Sequence, residues 1–412
     1  MSKIEVRSAL ELWMNSLDAR PKRILLLPPD FTRTNSQAGL IVQELYEMLG
    51  SSAQIDIMPA LGTHVPMSDK ELRLMFGSQI PRERFIDHDW RNDVVKIGEV
   101  PAEFVSRISE GLVDYSIDVE VNRRLLDPKY DLIVSIGQVV PHEVVGMANY
   151  TKNVLVGCGG KSMIDGTHFL GAVYGMERLM GCDHSPVRQV FDYAEEHFLN
   201  QLPLQYALTV TTTRGHDTTI DGLYLGRSRQ LFEEAVALSQ EKNLDWLDEP
   251  LQKVVVYLDP AHFKSTWIGN KAIYRLRMAI ADQGELLIIA PGVKQFGEDP
   301  MVDGLIRKYG YHGTPNTLGM VENNEDLRGS LSAAAHLIHG SSEGRFRIVY
   351  APGHLSRDEI EGVGFDYMSV DEATAMYDPD KMQDGLNIVN GQEVFFVSNP
   401  ALGLWALKEK GR

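Results

Sequence analysis

Apolar positions along the chain gather into short runs, and amphipathic stretches of helical length separate them. The runs at Arg23–Leu27, Gln54–Met58, Asp131–Ile136, Tyr206–Thr213, Lys253–Leu258, Glu285–Ile289, Arg345–Tyr350 and Glu393–Ser398 read as strands. Between them, Gln37–Leu49, Arg227–Gln240, Ile268–Asp282 and Asn324–His339 read as helices. Such alternation predicts an α/β fold with mainly parallel sheets, because a parallel strand pair needs a crossover and a helix is the usual one. One helix start is explicit: Ser68 with Glu71 forms a capping box. The acidic, polar stretch Glu241–Pro250 is the clearest boundary. It divides the chain into an N-terminal α/β domain over 1–250 and a second α/β domain beginning at 251.

At 412 residues the chain is long enough for two or three domains with sizeable cores. Its 40 basic and 57 acidic side chains give a net charge of −17, which argues against a nucleic-acid partner. Two cysteines, Cys158 and Cys182, exclude a disulfide scaffold and a paired-cysteine metal site. No apolar run approaches the roughly 18 residues of a membrane span. The opening MSKIEVRSALELW carries charges where a signal peptide needs an apolar core. The expected setting is a reducing cytoplasm, away from membranes.

In α/β folds the loops at the carboxyl ends of strands gather the chemistry. Asp30 and Arg33 follow the first predicted strand, His64 the second, and His142 and Glu143 the third. The stretch Pro141–Gly171 is denser still, with His142, Lys152, Lys161 and His168 among glycines. His142-Glu143 opens a zinc-protease motif, but Gly146 stands where the second histidine belongs. Gly160-Lys161-Ser162 resembles the end of a phosphate-binding loop, but Leu155 occupies the place of its first glycine. Cys158 lies among glycines without any nucleophile signature around it. A fourth reading makes His64 and His142 general bases, Lys152 a covalent attachment point and His168 a ligand. Two others stay open beside it: a non-catalytic binder of a sugar acid or nucleotide, and a divalent-metal hydrolase or lyase using His142 and His168. His216, after the strand Tyr206–Thr213, is an outside candidate.

Asp30-x-Thr32-Arg33, Gly62-Thr63-His64, Pro141-His142, Lys152 and His168, taken in order and with their spacing, resemble the lactate racemase family. Trp267-x-x-x-Lys271 is a weaker match. The resemblance implies a nickel-pincer nucleotide (pyridinium-3,5-bisthiocarboxylic acid mononucleotide) held covalently by Lys152, with Asp30 at the cofactor site and His168 as the protein's nickel ligand. It implies His64 and His142 as an acid–base pair on opposite faces of the substrate carbon. Arg33 would bond the substrate oxygen, Lys271 its carboxylate, and Trp267 would stand nearby. The implied activity is racemisation or epimerisation of a 2-hydroxy acid by reversible, proton-coupled hydride transfer. Cofactor-maturation proteins become expected partners. The active site is expected in a cleft between two domains, with 390–412 returning to the first and the second ending at 389. Val65 stands where the family usually has arginine, and Ala148-Asn149-Tyr150-Thr151 where it commonly reads Ser-Gly-Gly-Arg. With Trp267 and Ile268 beside Lys271, these departures point to a substrate larger than lactate, sugar acids included.

Overall fold

The computed structural model describes residues 1–214, 217–401 and 403–408. They form two compact units, one of Met1–Leu170 with Arg178–Asn243 and one of Gly171–Glu177 with Leu244–Arg412. Both are α/β with mainly parallel sheets. No helix among the described residues is long and apolar enough to cross a membrane.

The first unit is built on β1 (Arg23–Leu27), β2 (Gln54–Ile57), β3 (Leu132–Gln138), β4 (Leu204–Arg214) and β5 (Asp217–Gly226), in the order β2-β1-β3-β4-β5. The first four run parallel, and β5 returns antiparallel along β4. β1 and β3 are buried almost end to end, the pattern of central parallel strands covered on both faces. Ile41, Val42 and Leu45 of the helix Ala38–Leu49 share one apolar cluster with Ile24, Leu26, Ile55 and Ile57 of the sheet. From β1 the chain moves to β2 on one side and later to β3 on the other. The strand order therefore reverses between β1 and β3, and the carboxyl ends of such a strand pair are where sheets of this kind bind ligands.

The second unit carries β6 (Leu251–Tyr257), β7 (Ile280–Ala290), β8 (Arg347–Pro352), β9 (Asp366–Tyr367), β10 (Gly385–Val389) and β11 (Gln392–Val397), in the order β9-β8-β7-β6-β11-β10. Only the β10–β11 hairpin is antiparallel.

The structure differs from the sequence reading at five points. The described residues from 390 onward belong to the second unit, because β11 pairs in parallel with β6. The boundary falls at Asn243/Leu244 rather than at 250, since Asp245–Leu247 pairs with Trp405–Leu407. Gly171–Glu177 also joins the second unit, where the Glu177 carboxylate accepts from Arg277 at 3.1 Å and Arg345 at 2.7 Å. The stretch Ile268–Asp282 is not one helix: Asn270 separates Thr266–Gly269 from Lys271–Leu276, and Ile280 already pairs with Leu251 in the sheet. Asn324–His339 likewise divides at Gly329-Ser330 into Glu325–Arg328 and Leu331–His339. The capping box at Ser68 and Glu71 is present as expected.

Candidate active site

The end of β1 supplies a carboxylate and the end of β2 an imidazole. Asp30 caps the 3-10 turn Phe31–Ser36, accepting from the Thr32 amide at 3.2 Å and the Thr32 hydroxyl at 2.5 Å. Its second oxygen meets His64 Nδ1 at 2.5 Å. Gly62 makes this meeting possible: its φ of +57° reverses the chain after β2, and its amide donates to Gly157 O at 2.8 Å. Burial pushes the Asp30 carboxyl up, but the hydrogen bond and charge of His64, with Thr32 and Arg33, outweigh it and hold the group below the usual carboxylate range. An ionised Asp30 requires His64 to donate from Nδ1. The Nε2 lone pair of His64 is then directed away from the pair, and the His64 side chain is 56% exposed.

The end of β3 supplies the second histidine and the lysine. His142 is buried in a short ladder, Pro141–His142 against Gly146–Met147, and its Nδ1 accepts from the Val144 amide at 3.1 Å. Neutral His142 thus carries its proton on Nε2, the opposite tautomer to His64. The chain then turns through Asn149 and Tyr150, both at positive φ (67° and 55°), into the short helix Thr151–Leu155. Asn153 fastens this helix over the reversal point, donating to Leu27 O of β1 at 2.9 Å and to Ser135 Oγ of β3 at 3.0 Å. The preceding residue is Lys152. Burial and the charge of Arg33 lower its amine to about 7, against the opposing influence of Glu143 and Asp30. A large fraction of such an amine is neutral and nucleophilic near pH 7.

His168 lies in the middle of the helix Lys161–Tyr174, not at a helix start, and the Thr167 hydroxyl turns back to Met163 O at 2.6 Å. His168 Nδ1 donates to Ile164 O at 2.6 Å, which leaves the Nε2 lone pair for a ligand. Burial and the nearby Lys152 charge keep the ring neutral by lowering its pKa. Asp30, Arg33, Glu143, Lys152 and His168 therefore form one electrostatically coupled cluster.

The discarded motifs have structural explanations. The amide of Ser162 at the start of the Lys161–Tyr174 helix already donates to the Glu120 carboxylate at 3.1 Å, where a phosphate-binding loop would take its anion. Burial pushes the Cys158 thiol far up, so it is a poor nucleophile. Trp267 and Lys271 belong to the second unit. There Trp267 stacks on His336 at 4.3 Å, and Lys271 opens the helix Lys271–Leu276. His216 lies outside the described residues. Sequence reasoning overlooked Asn153 and Arg188, both ordinary polar residues outside every motif that it singled out, and assigned no role to Glu143.

Residues 6–179 match the family model of the lactate racemase N-terminal domain. This part of the chain is similar to the lactate racemase N-terminal domain. It holds Asp30, Arg33, His64, His142, Lys152 and His168. The fold is also that of a Thermotoga maritima protein known from its crystal structure, with a TM-score of 0.84, 24% identity and 99% of each chain covered. A second solved structure is the lactate racemase apoprotein from Thermoanaerobacterium thermosaccharolyticum. It aligns with a TM-score of 0.71 and 16% identity over 98% of this chain and 93% of that one. No curated protein matches the chain. Both alignments take in the residues of the two units.

Proposed function

We propose that the protein is an isomerase that racemises or epimerises a 2-hydroxy acid larger than lactate, with a nickel-pincer nucleotide attached to Lys152. One observation carries this reading. The amine and the imidazole that such a cofactor requires, Lys152 held near neutrality and His168 with its Nε2 lone pair uncommitted, fall in one electrostatic cluster beside the Asp30–His64 pair. The donor set fits the group. Nickel accepts imidazole, and the soft donors would come from the cofactor, so the raised pKa of the buried Cys158 thiol is no obstacle. When bound, the cofactor supplies an electron-poor carbon able to take up and return the hydrogen of the substrate's α-carbon.

The chain's own residues would divide the remaining work. His64, oriented by Asp30, takes the hydroxyl proton of one enantiomer at Nε2. His142 offers a proton from Nε2 on the other face, and the roles exchange when the reaction runs backwards. Arg33 would hold the substrate oxygen, and Asp30 would also border the cofactor. The hydrolase reading is weaker, because the Val144 amide occupies the His142 lone pair that a metal would need. We further propose a cytoplasmic setting, where the thiols of Cys158 and Cys182 stay reduced and maturation proteins load the cofactor.

The test is a panel of 2-hydroxy acids, sugar acids among them, offered to protein from a host that makes the cofactor. The substrates are deuterated at Cα and read by chiral chromatography with mass detection. Inverted product that keeps its deuterium supports the proposal. Loss of the label to water would replace it with carbanion chemistry, and no inversion of any acid would leave a binding protein.

A further inference from the structure

Arg188 is a guanidinium with no exposed surface, on the helix Pro186–Ala194. Its Nη1 donates to Thr151 Oγ1 at 2.7 Å, and its Nη2 donates to Met147 O at 2.8 Å and Asn149 O at 3.2 Å. All three acceptors are neutral and lie in the five residues before Lys152. The ring of Phe232 lies 4.4 Å from the guanidinium carbon and that of Phe191 5.5 Å. A buried cation hydrogen-bonded only to neutral groups is an expensive way to staple a fold, since apolar side chains of similar volume are often at least as stable. Its value here is geometric.

The turn that it grips is strained. Asn149 and Tyr150 follow one another at positive φ, a conformation uncommon for any residue with a Cβ and least suited to a bulky one. The turn is fixed from three sides. A Cβ on Gly137 would lie 2.1 Å from Asn149 Nδ2, so strand β3 passes directly beneath. Tyr150 packs between Tyr206 and Phe232, with ring centroids at 4.2 Å and 5.0 Å, and its hydroxyl donates to Arg227 O. Arg188 closes the remaining side by bridging both limbs of the turn.

We propose that Arg188 is the positioning residue for Lys152: its guanidinium, hydrogen-bonded to Met147, Asn149 and Thr151, holds the strained turn from which the attachment lysine projects. This rests on the function proposed above only in taking Lys152 as the attachment point. Arg188→Met preserves volume and removes every donor; Arg188→Lys keeps the charge but gathers its three N–H on one atom in place of the two nitrogens that Arg188 uses. Each variant is expressed in a host that makes the cofactor, and intact mass gives the fraction carrying the Lys152 adduct. Hydrogen exchange of the apoprotein over 147–153 and the thermal midpoint are measured alongside.

The expected result is a thermal midpoint for Arg188→Met within about 4 °C of the parent, exchange over 147–153 at least about tenfold faster, and adduct reduced by a similar factor. Arg188→Lys falls between. A purely structural role would lower the midpoint and leave the adduct on whatever protein is folded. Adduct at the parental level, or unaltered exchange over 147–153, would overturn the proposal. Should Arg188→Met fail to fold, Thr151→Val removes one acceptor with Arg188 in place and must show the same changes to a smaller degree. If the parent itself carries no adduct, the proposed function fails, and exchange alone decides whether Arg188 orders this turn.

Discussion

The carboxylate of Asp30 and the imidazole of His64 stand 2.5 Å apart, and their contact determines which nitrogen of His64 is available to a substrate. The two residues lie 34 positions apart in sequence and are joined only because β1 and β2 end side by side.

Asp30→Asn should therefore disable His64 more than it disturbs the fold. An amide that presents its N–H to Nδ1 favours the tautomer with the proton on Nε2, and the base is lost. Turnover should fall by about 10²–10⁴-fold with the adduct on Lys152 retained; turnover within about threefold of the parent would show that the pair is ornamental. The same substitution changes acid stability. The native carboxyl is held below its unfolded value near 3.9, so it stabilises the fold above that pH and loses this contribution as pH falls through the native value. Urea midpoints at pH 7 and pH 3 should differ less for Asp30→Asn than for the parent.

Lys152→Met should stabilise the apoprotein, and more so in acid. A lysine lowered to about 7 in the fold but titrating near 10.4 when unfolded imposes its full penalty below pH 7 and none above about pH 10.4. Denaturation midpoints at pH 6 and pH 10.5 read this directly. A gain at pH 6 that exceeds the gain at pH 10.5 is expected; equal gains would mean that the amine is not perturbed.

His168→Ala should separate metal from attachment. Nickel per protein chain, measured by elemental analysis, should fall at least about tenfold, while the mass added at Lys152 persists without its metal. Undiminished nickel would move the ligand elsewhere.

Cys158→Ala should be silent in catalysis, since the thiol is buried and its pKa is raised far beyond neutrality. Turnover within about twofold of the parent is expected, and a large loss would revive the nucleophile reading.

Much of this was legible in the chain, for definite reasons. β1 and β3 are runs such as Arg-Ile-Leu-Leu-Leu whose burial demands leave few alternatives, and the residues that follow such strands are placed by the sheet itself. Asp30, His64 and His142 could thus be singled out before their contacts were known. The tautomers could not, because they depend on Val144 and on a partner 34 residues away. Arg188 was invisible for a different reason. An arginine on an amphipathic helix looks solvated until the acceptors beneath it, Met147 and Asn149, are located. The misplaced helix Ile268–Asp282 shows the limit of periodicity, since Ile280 and Ala281 are equally apolar as helix or strand and only pairing with Leu251 decides between them.

The account stands or falls on the chemistry of a single amine. Peptide mapping of the protein matured in a competent host should find the Lys152 peptide heavier by the mass of the nucleotide, with nickel in near-equal amount to the chain. A Lys152 peptide of unmodified mass in fully active protein would contradict it.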